Sequence, residues 1–257
     1  MLHNSSAAPA STFQCRTRYL LLPKYGHLDS EFEDALAENS AEGRFAVADG
    51  ATEAICSDIW ARLLASALVK QPLPDADEWE RWLAEQRGAW LEAVRGLPLD
   101  LFAEMKLAEG AAAAVLALQI EPHGGWKALS VGDSCLFQVR GEELVGAFPK
   151  TSSKQFDNRP PLVRTAAVNP ALPNVARGDW QSGDNLVLMT DALSQWFLQE
   201  YEQSQPLRTT LEDLLAVAAD RAALEQKINR LRDSALLRND DIVLVAVDVW
   251  GDERLRP

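Results

Sequence analysis

The chain contains 257 residues, of which 47% are hydrophobic and 25% charged, a composition typical of one mid-sized globular domain. Its 25 basic and 38 acidic residues give a formal net charge of −13. This balance argues against nucleic acid or anionic membrane as partners, because both are bound largely through clustered Lys and Arg side chains. The sequence also lacks the run of about 18 apolar residues that a membrane-spanning helix needs.

Residues 1–15 are mostly small and polar, which predicts a disordered N-terminal tail ahead of a single domain over residues 16–257. The sequence shows no basic segment followed by an apolar one at its start, so it does not predict a secretory signal. The cysteines are Cys15, Cys56 and Cys135. Because they are far apart, they indicate neither a disulfide framework nor a thiolate zinc site, and we expect a cytoplasmic protein.

The first part of the chain predicts two strands followed by two helical blocks. Apolar residues predict a strand over residues 19–23 and another over residues 44–48, which ends in an Asp-Gly turn. Apolar residues with helical spacing predict a helix over residues 53–69. A second helical stretch begins near residues 75–77, whose carboxylates suit a helix N-terminus.

The second part of the chain predicts mostly strands. Apolar or alternating runs separated by Gly-containing turns predict an antiparallel meander over residues 111–120, 126–131, 135–140 and 144–147. Residues 148–181 have no clear period and predict a long irregular segment. A strand over residues 185–190 follows, then a helical region that opens at a Thr-x-x-Glu capping box at residues 209–212, and a buried strand over residues 242–249. Short turns between most strands favour an α+β sandwich over a doubly wound parallel sheet.

Aspartates recur at the ends of the predicted strands. They are Asp34, Asp49, Asp133, Asp191 and the pair Asp240 and Asp241. Carboxylates brought together at strand ends repel one another unless cations neutralise them, and oxygen-only ligands select hard ions such as Mg²⁺ or Mn²⁺. Two such ions about 3.5–4 Å apart can bind a phosphoryl group and activate a water. Asp is also common in turns, because its side chain accepts hydrogen bonds from nearby backbone N–H groups, so the pattern alone leaves both interpretations open.

Five segments, in order, resemble the metal-dependent protein phosphatases, the type 2C Ser/Thr phosphatase family. They are Phe-Glu-Asp-Ala at residues 32–35, Phe-Ala-Val-Ala-Asp-Gly at residues 45–50, Leu-Ser-Val-Gly-Asp-Ser at residues 129–134, Ser-Gly-Asp-Asn-Leu-Val-Leu-Met-Thr-Asp at residues 182–191, and Asn-Asp-Asp-Ile at residues 239–242. The resemblance extends over residues 20–249. It implies an αββα sandwich, in which two antiparallel sheets are flanked by helix pairs.

The resemblance also implies a function, the hydrolysis of phosphoserine or phosphothreonine by direct attack of water activated at a two-metal centre. The metal ligands it implies are Asp34, Asp49, Gly50, Asp133, Asp191 and Asp240. In this scheme Asp49 and Asp34 are the catalytic residues: Asp49 bridges two ions, Asp34 binds one of them, and Gly50 offers its backbone carbonyl. Asp191 and Asp240 hold the other ion, and Asp133 together with Asp191 forms a third, weaker site. The implied cofactors are two or three Mg²⁺ or Mn²⁺ ions, and the implied partners are a phosphorylated protein substrate and a cognate Ser/Thr kinase system.

One departure from the family pattern bears on activity. The family often has an Arg five residues before the early Asp, where it grips the phosphate, and this chain has Asp29 there. Lys24, Arg18 or Arg16 are nearby cations that could substitute. The sequence therefore leaves two alternatives open: a pseudophosphatase that acts as a regulatory binding module, and a metal-dependent phosphohydrolase for a small phosphorylated metabolite.

A local basic cluster lies within the predicted irregular segment. It comprises Lys150, Lys154, Arg159 and Arg164. By resemblance, this segment corresponds to the family's variable flap beside the active site. The cluster is consistent either with a contact to a phosphopeptide or with a solvated loop.

Overall fold

The computed structural model describes residues 13–52, 54–98, 101–122, 124–157, 159–166 and 171–251. The strands within these residues are β1 (Phe13–Leu22), β2 (Ala35–Asn39), β3 (Arg44–Gly50), β4 (Ala112–Ile120), β5 (Gly125–Val131), β6 (Cys135–Arg140), β7 (Glu143–Phe148), β8 (Val163–Arg164), β9 (Asn174–Asp179), β10 (Asp184–Met189) and β11 (Ile242–Gly251). The helices are α1 (Ser57–Lys70), α2 (Trp79–Val94), α3 (Leu101–Glu109), α4 (Asp191–Glu202), α5 (Leu207–Leu215) and α6 (Arg221–Asp233).

The strands form two antiparallel sheets. The first sheet has the order β1-β11-β10-β6-β7, and the second has the order β2-β3-β4-β5-β9, with β8 paired to β4. Alternation along β11 explains why the sheets stack, because Val243, Val245 and Val247 pack in the core between the sheets, whereas Leu244 and Ala246 pack against the outer helices. A strand with this period of two contributes one side to each of two cores.

Helices cover the outer face of each sheet. α1 and α2 pack on the second sheet through buried residues that include Trp60, Leu64 and Trp79, and the helices α4 to α6 pack on the first sheet through residues such as Phe197 and Ile228. The layers are therefore helix, sheet, sheet and helix, which confirms the predicted αββα sandwich. Within the described residues, no helix is long and apolar enough to cross a membrane.

The first strand is longer than the sequence indicated. β1 begins at Phe13 and pairs with β11 along its whole length. Residues 13–15 therefore belong to the sheet and not to the predicted tail, while residues 1–12 of that tail lie outside the described residues. The apolar pattern did not reveal this part of the strand, because Arg16 and Arg18 interrupt it and pair with a carboxylate of β11.

Two predictions about the middle of the chain are wrong. β4 and β5 pair in the second sheet, whereas β6 and β7 pair in the first, so the predicted meander is two hairpins, and the chain crosses from one sheet to the other at Gly132 and Asp133. Residues 148–181 are not wholly irregular, since they contain β8 and β9. β9 has no apolar run to mark it, because it is an edge strand whose residues are mostly exposed.

The predicted capping box is also wrong. Thr209 lies inside α5, and Glu212 binds Arg18 of β1 instead of capping the helix. The first N–H groups of α5 are capped by the Glu142 carboxylate, which accepts from the backbone of Arg208 at 2.9 Å and of Thr209 at 3.3 Å. A cap that comes from a distant hairpin leaves no local signature in the helix sequence.

Candidate active site

Carboxylates from both sheets line one cavity of about 760 Å³ at an end of the sandwich. Its acidic lining comprises Asp49, Asp133, Asp191 and Asp240, together with Glu109 and Asp157. Asp34 is only 4% exposed, and it interacts electrostatically with Asp49. Aspartates that lie far apart in the sequence therefore meet in one place.

The pairing of β2 with β3 brings Asp34 to Asp49. In this antiparallel pair Ala35 lies opposite Ala48, so the next residues along, Asp34 and Asp49, come opposite each other. Gly50 follows, and a Cβ at this position would lie 2.7 Å from a backbone carbonyl oxygen of the neighbouring segment. Only Gly allows this close approach beside the acids.

The turn after β5 and the start of α4 hold the next two acids. Asp133 follows Gly132, whose φ of +114° favours Gly, and Asp191 is the first residue of α4. The Ser194 hydroxyl donates to a β10 carbonyl oxygen at 2.9 Å and accepts from the N–H of Cys135 at 3.2 Å. This bridge ties the turn that carries one acid to the helix that carries the other.

Asp241 anchors the segment that carries Asp34. Its carboxylate accepts from the backbone N–H groups of Lys24 and Glu33, each at 2.8 Å, and so ties the β1–β2 connection to the start of β11 beside Asp240. Sequence reasoning missed this role. The available signal is the pair of adjacent aspartates at the start of a buried strand, where alternation sends the two side chains to opposite sides.

Burial and mutual repulsion raise the pKa of several of these carboxyls. The pKa of Asp34 is raised well above its usual range, mainly by burial and then by neighbouring carboxylates, and that of Asp49 is raised by burial and then by Asp34. Burial, followed by Asp191, raises the pKa of Asp133 to about 7 and also raises that of Asp240. These groups hold protons where ordinary carboxyls have lost them, unless a cation joins the cluster.

A guanidinium group contacts the outer part of this cluster. Nη2 of Arg238 pairs with Oδ2 of Asp191, and Nε lies 3.6 Å from Oδ2 of Asp240. Arg238 lies in the loop before β11, lines the cavity and has a side chain that is 37% exposed. Sequence reasoning missed it, because a single Arg beside polar residues has the appearance of a surface position.

The donor set suits a hard divalent cation. Oδ2 of Asp34 and Oδ1 of Asp191 are buried and have no hydrogen-bond partner among the described residues, and carboxylate oxygens are the ligands that Mg²⁺ and Mn²⁺ prefer. In the described part of the chain, no group of three Asp, Glu, His or Cys side chains has the arrangement needed to bind one metal ion. Ion binding therefore requires side chains to turn, and the pair between Arg238 and Asp191 has to open.

The three cations that could substitute for the family's phosphate-binding Arg are each paired with a carboxylate, and Lys24 also lies 3.2 Å from the hydroxyl of Thr52, which lines the cavity. Asp29 pairs with Arg221 of α6 at 2.8 Å. Lys24 pairs with a neighbouring glutamate at 3.2 Å, and Arg16 and Arg18 pair with carboxylates of β11 and α5. None of these described residues lines the cavity.

Other basic side chains do line the cavity. They are Lys106, Arg159, Arg164 and Arg238. Arg159 and Arg164 belong to the basic cluster that the sequence indicated, whereas Lys106 of α3 was not predicted. Of the remaining cluster members, Lys150 is close enough to Asp133 to oppose the rise in its pKa, and Lys154 lies outside the cavity lining.

The αββα sandwich with acids gathered at the strand ends is the architecture that the sequence resemblance implies. A sequence model of the Protein phosphatase 2C family matches residues 27–231, and the chain belongs to this family. The family resemblance is thereby confirmed, and the match includes four of the five sequence segments, whereas the segment at residues 239–242 lies beyond it. A search among curated proteins found no match.

Three solved structures illustrate the shared fold. PppA, described as a key regulatory component of T6SS in Pseudomonas aeruginosa, is 18% identical with a TM-score of 0.56, and the match covers 92% of this chain and 98% of that chain. The catalytic domain of the serine threonine protein phosphatase PstP, in complex with two manganese ions, is 16% identical with a TM-score of 0.59, and the match covers 93% and 100%. The photosystem II phosphatase PBCP is 17% identical with a TM-score of 0.57, and the match covers 91% and 98%. At these identities the likeness shows the fold.

Proposed function

We propose that the protein is a divalent-metal-dependent phosphatase that hydrolyses phosphoserine and phosphothreonine in proteins. The observation that carries the proposal is the gathering of Asp49, Asp191 and Asp240 around one cavity, with Asp34 buried beside Asp49, in a member of the Protein phosphatase 2C family. Buried carboxylates without a cation cost folding free energy, so cation binding accounts for a cluster that packing does not explain. The PstP domain, which has the same fold, was solved with manganese, and this supports the choice of ion.

Two or three Mg²⁺ or Mn²⁺ ions are proposed to bind through Asp34, Asp49, Gly50, Asp133, Asp191 and Asp240. Asp49 is suited to be shared between ions, because its carboxyl interacts with each of the other four acids of this set. When bound, the ions supply positive charge to the phosphate and lower the pKa of a water for attack on phosphorus. Since the pKa values of Asp34 and Asp49 are raised, the chain releases protons as it takes up ions.

The remaining side chains of the site position the acids and receive the substrate. The Asp241 anchor keeps the Asp34 segment against β11, and the basic lining at Arg159 and Arg164 faces a substrate that carries negative charge. A phosphorylated protein is therefore the proposed partner, and a Ser/Thr kinase is expected to supply it.

A pseudophosphatase is the second candidate. Two observations favour it: Asp29 occupies the position of the family's phosphate-binding Arg and pairs with Arg221 away from the cavity, and Arg238 pairs with one of the proposed ligands, Asp191. In this alternative the sandwich binds a partner protein and does not turn over phosphate esters.

Hydrolysis assays separate these candidates. We expect the wild type to cleave p-nitrophenyl phosphate and a phosphothreonine peptide with Mn²⁺, to lose activity in chelator, and to lose at least about a hundredfold in kcat when Asp49→Asn removes a carboxylate. Asp213→Asn, on the exposed side of α5, is the matched control and keeps full activity.

Three results would count against the proposal. Activity that persists in chelator or in Asp49→Asn contradicts the metal mechanism. Mn²⁺ binding without any hydrolysis favours the pseudophosphatase. Turnover of small phosphate esters of metabolites with none of the phosphopeptide favours the metabolite phosphohydrolase.

A further inference from the structure

A phosphate group that enters this cavity needs a cation from the chain. The lining is rich in carboxylates, which repel a phosphate dianion, and Asp29 stands where the family's Arg is expected. Arg159 and Arg164 line the cavity but have no ion pair with its carboxylates within the described residues. Arg238 is different, because its guanidinium already reaches two of the proposed metal ligands.

The backbone at Arg238 is fixed on both sides. Leu237 is 2% exposed and packs in the core beneath the helices of the first sheet. Oδ1 of Asn239 accepts from the N–H of Tyr25 at 2.7 Å. The side chain between these anchors is partly exposed, so its guanidinium can change partners while its Cα stays at the rim of the cavity.

The contacts of Arg238 and those of a divalent ion exclude each other. Arg238 approaches Oδ2 of Asp191 and Oδ2 of Asp240, and the proposed function assigns these same carboxylates to an ion. An ion of charge +2 outcompetes a single guanidinium for carboxylate oxygens, because oxygen donors of this kind are the ligands that such ions prefer. The released guanidinium stays close, and its planar fork of N–H donors matches a phosphate group.

We propose that Arg238 exchanges partners, pairing with Asp191 and Asp240 when no ion is bound and turning to the phosphoryl group of the substrate when divalent ions occupy these carboxylates. This inference rests on the proposed function and names its phosphate-binding side chain. It also couples the two ligands, since an ion that frees Arg238 strengthens phosphate binding, and by linkage phosphate strengthens ion binding.

Titration calorimetry on the full chain tests the exchange. Mn²⁺ is titrated into the wild type, Arg238→Gln and Arg238→Lys, and inorganic phosphate is then titrated into each Mn²⁺-loaded protein. Lys154→Gln is the matched control, because it removes one positive charge from an exposed position outside the cavity. Thermal unfolding in chelator establishes that each variant is folded.

We expect Arg238→Gln to bind Mn²⁺ about tenfold more tightly and phosphate about tenfold more weakly than the wild type, because the variant loses both the competing cation and the charged hydrogen bonds to phosphate. Arg238→Lys keeps the positive charge but lacks the planar fork of N–H donors. Its affinity for phosphate should therefore lie between that of the wild type and that of Arg238→Gln. Lys154→Gln should match the wild type in both titrations.

The outcomes distinguish this inference from the proposed function. A wild type that binds no Mn²⁺ overturns the proposed function and the exchange with it. Normal Mn²⁺ and phosphate binding by the wild type, with either dissociation constant unchanged in Arg238→Gln, overturns the exchange alone.

Discussion

Replacing Asp133 with Asn removes a carboxyl group whose ionised form lowers the free energy of unfolding, because the folded protein buries it. Asp133 is 2% exposed, and burial, followed by repulsion from Asp191, raises its pKa from 3.8 to about 7. In the unfolded chain the group has its ordinary pKa. Between pH 3.8 and about pH 7 the folded protein holds more protons than the unfolded chain. The free energy of unfolding therefore falls as the pH rises through this range, and it stays low above it.

The pKa difference gives the size of the effect. At about 1.4 kcal/mol per pKa unit, a rise from 3.8 to about 7 amounts to about 4 kcal/mol above pH 7. Asn has nearly the shape of Asp and no charge. Metal-free Asp133→Asn is therefore expected to be more stable than the wild type by up to about 4 kcal/mol at pH 8 and equally stable at pH 4. The gain at pH 8 corresponds to a melting temperature about 10 °C higher than that of the wild type.

Urea unfolding in chelator at these two pH values measures the difference. Asp213→Asn makes the same chemical change at an exposed site on α5, and its stability should follow that of the wild type at both. An equal gain for Asp133→Asn at the two pH values, or a loss of stability at the upper one, would refute the reasoning, because neither result can come from a carboxyl whose pKa is raised by folding.

Two further variants test the cavity wall and the turn that carries Asp133. The double variant Arg159→Gln, Arg164→Gln should lower kcat/KM for an acidic phosphothreonine peptide by about fivefold relative to a neutral one, since each exposed pair contributes up to about 1 kcal/mol, and Lys154→Gln should leave that ratio unchanged. Gly132→Ala should lower the free energy of unfolding by about 2–4 kcal/mol in urea titrations, because φ is +114° and the new Cβ would lie 2.4 Å from a side-chain carbon of β4.

Most of the acid cluster can be predicted from the sequence, because Asp49, Asp133, Asp191 and Asp240 lie at the ends of predicted strands. Asp49 lies at the end of the apolar run that forms β3, and Asp191 follows the apolar run that forms β10. Each signal lies within one short segment of sequence. The layer order is predictable for the same reason, since apolar periods distinguish the helices from the strands. Asp34 is the exception, because β2 was not predicted and its pairing with β3 is what sets Asp34 opposite Asp49.

Contacts between distant segments carry no such local mark. Arg238 pairs with a residue 47 positions away, and Asp241 binds the backbone of Lys24 across 217 positions. The crossing from one sheet to the other at Gly132 also has no signal in the sequence, because a Gly-Asp turn can join two strands of one sheet or two strands of different sheets. Sequence reasoning therefore found the acids and missed the groups that hold or neutralise them.

The outer and inner acids of the cluster differ in whether a cation of the chain offsets their negative charge. This difference indicates which acids gain most from a bound ion. For the outer acids Asp133 and Asp240, Arg238 opposes the rise in pKa. For the inner pair, Asp34 and Asp49, the main influences on the pKa are burial and other carboxylates, with no cation among them. The outer half is thus served by a cation of the chain, whereas the inner half, set face to face by the β2–β3 pairing, gains most from an ion that the chain does not supply.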